Sequence, residues 1–318
     1  MVFRKPTKKQ LRLAIDERGV AKDLYLSAAL KCDSNLGANE GHFDEIVVPG
    51  DEDWLACFPE SVYSFKKYKK STPLPRKHRN TLYIQPFGSF EPENSPDIED
   101  IRRYAEIYFQ MPTKLLTPMG LFETKKRTQM IMGDTTVGCR KDHTGDVQLL
   151  VSDLLHILVD NRPSDAHCVM GLTMCDLYPG KEWNFVFGAA SAAKRVGVFS
   201  FARYSPLFYE DSASLDNQDR QLMLRRSISV MVHETGHMMG LPHCVYFQCM
   251  MNGANSLEES DRQPAYACPA CLRKLQYHLS FDARKRYSEL LDFYEEKQLQ
   301  DEFNWLQQRI AYIESLIN

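Results

Sequence analysis

The sequence predicts an α+β fold: a twisted mixed sheet of about five strands with one long site-bearing helix, plus helical extensions at the N- and C-terminal ends. Three observations carry that expectation. Short β-prone segments interleave with amphipathic helical stretches between residues 81 and 203, a helical pattern runs over 215–239, and the chain is helical from residue 272 to its end. The boundaries expected from these shifts are an N-terminal extension over 1–79, a central domain over 80–275 and a C-terminal helical segment over 276–318.

In chain order, residues 1–79 mix helical and loop signals, with 23–30 apolar enough to pack and 37–50 rich in turn residues. The basic run Lys66-Lys67-Tyr68-Lys69-Lys70 reads as a solvated loop ahead of the first strand, with a nuclear-localisation or anion-binding patch as the rival. Residues 81–86 are β-prone and bounded by Pro86, which makes them the first strand. Asp97 then caps a helix whose Ile98, Ile101, Ala105, Tyr108 and Phe109 share a face until Pro112 stops it. Residues 115–119 form a weak strand candidate, 133–146 suit a loop, and 147–159 predict a second helix through Leu150, Leu154, Leu155 and Leu158. Strands are expected at 167–174, 184–190 and 196–203. The helix over 215–239 offers Leu222, Leu224, Ile228, Met231 and Val232 for burial. Near the end, Leu299, Phe303, Leu306, Ile310, Ile313 and Ile317 alternate at spacings of four and three, a stripe too short for a sustained coiled coil. It is expected to dock on its own domain rather than form a dimer seam.

The chemistry concentrates in His233-Glu234-Thr235-Gly236-His237-Met238-Met239-Gly240-Leu241-Pro242-His243. On a helix, residues four apart share a face, so His233 and His237 can bind one ion with Glu234 beside them as general base. Gly240 can take a positive φ and Pro242 cannot continue the helix, so His243 can turn back as a third ligand. Three nitrogens and a water make an open, catalytic zinc site. Chance gives all five fixed positions on the order of 10⁻⁵ times per chain of this length, which disfavours coincidence. Glu234 adds nothing to a structural site, so its presence argues against a structural zinc or a decayed enzyme.

Immediately after, Cys244, Cys249, Cys268 and Cys271 have the spacing C-x4-C-x18-C-x2-C. Four thiolates close a tetrahedral shell and leave no place for water, so a second zinc here is structural; the competing reading is two disulfides. His143, His156 and His167 lack partners at metal spacing and read as hydrogen-bonded or surface histidines.

The extended histidine motif, the Cys directly after its third His, a nearby Met and the downstream C-x2-C together resemble the archaemetzincins, the animal type most closely. That resemblance covers residues 233–271. It implies a metzincin-like catalytic domain, zinc metallopeptidase activity, two zinc ions per chain and an edge strand that binds an extended peptide, here in the hairpin around 188–196. It also implies that Met251 forms the Met-turn under the catalytic ion, although Met250 is adjacent and sequence leaves the choice open. Gly253 stands where astacin-like enzymes place a tyrosine ligand.

Composition bounds the remaining readings. With 43% apolar residues the chain can bury a core, and a net charge of −3 gives no broad basic field for nucleic acid. Glu258, Glu259 and Asp261 offset Arg262, Arg273 and Lys274 around the cysteines, which disfavours nucleic-acid binding there. The first residues lack the apolar run of a signal peptide, and no run of about 18 apolar residues occurs anywhere. The expectation is therefore a monomeric zinc-dependent peptidase of the cytoplasm, and also the nucleus, acting on peptide or protein substrates without nucleic-acid or membrane partners. The alternative is a zinc-stabilised interaction protein with vestigial or restricted hydrolysis.

Overall fold

The computed structural model describes residues 3–32, 42–124, 128–143, 145–208 and 215–318. Part of the turn-rich stretch expected at 37–50 lies outside them. The described chain is mixed α and β and divides into two compact units.

One unit comprises Pro75–Glu106 and Met111–Met238. It holds ten strands: β1 (Thr81–Phe87), β2 (Thr113–Leu115), β3 (Leu121–Glu123), β4 (Gln129–Met132), β5 (Thr135–Lys141), β6 (Val147–Leu150), β7 (Ala166–Thr173), β8 (Asp176–Tyr178), β9 (Gly188–Ser191) and β10 (Val196–Ser200). The expected five-stranded mixed sheet is present, in the order β2-β1-β7-β10-β9, with only the β9 pairing antiparallel. Its central strands β1 and β7 are buried at every residue, as parallel strands covered on both faces must be. β1 runs through Pro86 instead of ending there. Its pairing with β2 covers only Leu82 to Ile84, so the missing Pro86 N–H breaks no ladder on that side.

A second five-stranded sheet, β3-β4-β5-β6-β8, corrects the sequence reading. Residues 133–146, expected as loop, supply all of β5, and 147–150 form β6 rather than the start of a helix. Gly133, with φ +57°, makes the tight β4–β5 turn. Met132, Val137, Leu149, Val169, Leu177 and Val198 join one apolar core with Leu154 and Leu158 of the helix Val151–Asp160. A buried polar knot also ties β6 to β8: Arg203 donates to both carboxylate oxygens of Asp176 at 2.9 and 2.7 Å, and Gln148 Nε2 donates to Asp176 at 2.7 Å.

The remaining elements are helical. In chain order they are α1 (Lys8–Ile15), α2 (Leu24–Ala29), α3 (Trp54–Cys57), α4 (Phe65–Ser71), α5 (Ile98–Phe109), α6 (the Val151–Asp160 helix), α7 (Asn217–Met238), α8 (Leu257–Asp261), α9 (Pro269–Leu279), α10 (Ala283–Glu296) and α11 (Gln300–Ile317). Asp97 caps α5 as expected, its side chain accepting from the Glu99 N–H at 2.8 Å. α7 closes the sheet-bearing unit. It buries Met223, Leu224, Ile228, Met231 and Val232, with Met223 taking the inward position expected for Leu222, and touches β7, β9 and β10.

The other unit comprises Met1–Leu74, Ile107–Gln110 and Met239–Asn318. Its basic run is not a loop. It forms most of α4, which buries Phe65 and Tyr68 and leaves Lys66, Lys67, Lys69 and Lys70 exposed, so the lysines are the solvated face of an amphipathic helix. Leu306 and Ile313 of the C-terminal stripe are buried, and α11 packs on α10 and α2. Arg309, also buried, donates to the Ala29 and Lys31 carbonyls at 3.0 and 2.7 Å and thereby ends α2 with a cation. Among the described residues no helix is long and apolar enough to cross a membrane.

Candidate metal centre

The last turn of α7 presents His233 and His237 on one face, their Nε2 atoms 3.0 Å apart and their rings nearly perpendicular at 84°. Nitrogens sharing a tetrahedral zinc at about 2.0–2.1 Å stand about 3.3 Å from each other, so this pair is close to ligand spacing. After Met238 the helix stops. Gly240 adopts φ +81°, the left-handed conformation that glycine accepts most readily, and the Tyr68 hydroxyl donates to the Met239 carbonyl at 2.8 Å. Five residues beyond the helix comes His243, which with His233 and His237 makes a group that could hold one metal ion. All three side chains keep some exposure, as an open site requires.

His243 is held by two residues that sequence reasoning missed. Its Nδ1 lies 2.7 Å from Glu60 Oε1, and the Trp54 indole meets its ring edge-on at 4.8 Å and 74°. Trp54 Nε1–H donates to the same Glu60 oxygen at 3.1 Å, while the Trp54 backbone N–H donates to Glu259 at 3.0 Å. Gly253 is explained by the same indole: a Cβ built there would meet Trp54 ring atoms at 2.4 Å. No local signal marks Glu60, because its partner is 183 residues away.

Glu234 follows His233 in α7. Burial pushes its carboxyl up to about 8, since low-dielectric surroundings disfavour the charged form.

The four cysteines converge separately, with their sulfurs within 4.8 Å of one another, and all four are buried. Cys244 and Cys268 Sγ are 3.5 Å apart. That is far beyond the roughly 2.05 Å of a disulfide and near the roughly 3.8 Å of two thiolates on one tetrahedral zinc. None of the nine cysteines is in a disulfide, which removes the two-disulfide reading. Burial pushes the Cys249 and Cys268 thiols well above the usual range, whereas at Cys244 hydrogen bonds from the three neighbouring cysteines outweigh burial and hold the thiol well below it. Four thiolates cannot share so dry a space without a cation, so the donor set fits zinc. The loop is shaped from within. The Cys268 N–H points at Cys249 Sγ at 3.3 Å, and the buried Asn252 side chain accepts from Cys249 N–H at 2.7 Å while donating to the Cys244 and Phe247 carbonyls. Met250 and Met251 are both buried beside it.

The other candidate histidines join neither group. His167 is buried, with Nδ1 2.8 Å from Arg195 Nη1, and neither His143 nor His156 enters a metal-type cluster among the described residues.

The chain is 36% identical over 284 residues to mouse Archaemetzincin-2, an alignment spanning 80% of this chain and 76% of that protein. It belongs to the archaemetzincin family. Human Archaemetzincin-2 is 35% identical over 277 residues, covering 78% of this chain and 74% of its own length. Human Archaemetzincin-1 is 34% identical over 296 residues, covering 85% and 56%. The family model described as Peptidase family M54 matches residues 141–277, which include every histidine and cysteine of the two clusters. A crystal structure of archaemetzincin from Methanopyrus kandleri is 29% identical, covers 66% of this chain and all of its own, and has a TM-score of 0.45. As an archaemetzincin the chain is a zinc-dependent metallopeptidase, a hydrolase of peptide or protein substrates, and the reading as a zinc-stabilised interaction protein with vestigial or restricted hydrolysis is not favoured.

Proposed function

We propose that this archaemetzincin cleaves peptide bonds at His233, His237 and His243, which hold one zinc ion, with Glu234 as general base, and that Cys244, Cys249, Cys268 and Cys271 hold a second, structural zinc. The carrying observation is the contrast between the clusters: three partly exposed imidazoles beside a carboxyl that can exchange a proton near neutral pH, and four buried thiols with no room for substrate. Zinc at the histidines supplies Lewis acidity, polarising a scissile carbonyl and lowering the pKa of a water towards about 7. Glu234 takes the proton released by the attacking water and returns it to the departing amine, a double use that suits a carboxyl raised by burial.

In this reading residues 80–275 are a metzincin-like peptidase domain, flanked by an N-terminal extension over 1–79 and a helical C-terminal segment over 276–318. The substrate lies extended along β9, the edge strand beside β10, and pairs with its main chain. The small side chains of Gly188, Ala189, Ala190 and Ser191 leave that backbone approachable. Thiols outside any disulfide suit a reducing compartment, which supports a reading as a monomeric enzyme of the cytoplasm or nucleus. The test is digestion of a peptide library by wild type and Glu234→Gln, with elemental analysis of both. New termini from wild type alone, at two zinc ions per chain in both, are expected; equal cleavage by the variant refutes the assignment of the base.

A further inference from the structure

Glu60 sits outside the region matched by the family model, on the loop after α3. Its carboxylate can only accept hydrogen bonds, so the 2.7 Å contact requires His243 to carry its proton on Nδ1. That tautomer leaves the Nε2 lone pair for an ion. We infer that Glu60, clamped by Trp54, is a positioning residue of the peptidase site: it fixes the tautomer and ring orientation of His243 and strengthens it as a zinc ligand. The inference rests on the proposal that His243 is such a ligand.

Three features make the contact a built one. Glu60 and His243 side chains are 27% and 16% exposed, so the bond is only partly screened by water. Glu60 Oε1 is fixed from a second direction by the Trp54 Nε1–H, whose ring also packs on the imidazole, so carboxylate, indole and imidazole form a closed triangle. Trp54 is itself anchored through its backbone N–H to Glu259, and Gly253 supplies the space its ring needs. A histidine ligand whose second nitrogen is held by a carboxylate binds metal more tightly, and losing such a partner typically costs about 10–100-fold in metal affinity or activity. Residues of the N-terminal region therefore complete the site, although they contribute no ligand.

The test uses the full-length protein loaded with two zinc ions, and reads the affinity of the histidine-bound ion by competitive chelator titration. The thiolate-bound ion and the melting temperature are followed alongside. Glu60→Ala is expected to weaken the histidine ion about 10–100-fold while the thiolate ion stays. Glu60→Gln keeps a neutral acceptor for Nδ1–H and is expected to lose an intermediate amount, roughly 3–10-fold, because charge-assisted bonds are about twice as strong as neutral ones. Cobalt(II) placed at the histidines should show a shifted visible absorption band in both variants, a change that a purely structural role would not produce. Unchanged affinity and an unchanged cobalt band overturn the inference, and if Glu60→Ala fails to fold, Glu60→Gln decides on the same two readouts. His243→Ala separates the two levels: if it loses the histidine ion while the Glu60 variants do not, only the positioning role fails. If His243→Ala keeps wild-type affinity, the ligand assignment itself fails.

Discussion

Gly240 ends α7, and replacing it with alanine tests whether that ending is built as described. Alanine at φ +81° enters the left-handed region at a cost of roughly 1–2 kcal/mol. Its Cβ would also stand 2.5 Å from Thr72 Oγ1, 2.7 Å from Cγ2 and 3.1 Å from Cβ, contacts that force a shift worth about 1–3 kcal/mol. The two parts sum to about 2–5 kcal/mol, a large share of the roughly 5–15 kcal/mol that holds a typical protein folded. Urea unfolding of Gly240→Ala, Thr72→Ala and the double variant separates them. Thr72→Ala deletes Oγ1 and Cγ2 and leaves only the 3.1 Å contact, so the double variant should regain the overlap part and keep the 1–2 kcal/mol of backbone strain. The reasoning is refuted if Gly240→Ala lies within about 0.5 kcal/mol of wild type, or if the two changes are additive.

Other outcomes follow from the same structure. Cys268→Ser removes one of four buried sulfurs and should drop the second zinc, lower the melting temperature and reduce peptidase activity through the neighbouring His243; a variant that melts and turns over like wild type contradicts this. Asp176→Ala leaves the half-buried Arg203 guanidinium without its carboxylate and should cost about 3–5 kcal/mol in denaturant unfolding, and a loss under 1 kcal/mol would deny the pair its structural role. Glu234 shapes the pH dependence of the metal-free protein. The folded state holds its proton up to about pH 8 while the unfolded chain releases it near 4.5, so folded protein binds more protons between those values and stability falls as pH rises through that window. Each pH unit costs at most about 1.4 kcal/mol, and less here because the side chain keeps some contact with solvent. Metal-free Glu234→Gln should therefore match wild type at pH 4 and melt higher at pH 8, and identical melting curves at both would refute the shift.

The parts of the site legible in the sequence are those where chain spacing fixes spatial spacing. His233 and His237 share a helix face by periodicity, and four cysteines separated by one loop and one helical turn have few ways to be placed other than around an ion. The second sheet was not legible. Its strands are three to seven residues long, Gly133 and Gly138 interrupt them, and Leu149 and Leu150 satisfy a strand period and a helix period equally well. The run 66–70 hid its helix because the burial that defines it rests on two aromatic residues spaced by three, Phe65 and Tyr68, among lysines. Trp54 and Glu60 were invisible for a different reason: a contact between residues 183 apart leaves no periodicity in a single sequence.

That separation has a consequence for the timing of synthesis. At about 5–20 residues per second, a ribosome needs roughly 10–40 s to travel from Glu60 to His243, and only then can the carboxylate find its imidazole. All four thiols emerge within the short stretch ending at Cys271, and their pocket can close on an ion by local chain closure alone. A growing chain thus closes this contact late, with Glu60 and Trp54 already made and waiting. Until the chain passes His243, the proposed metal site lacks its third histidine and the two residues that hold it have nothing to hold.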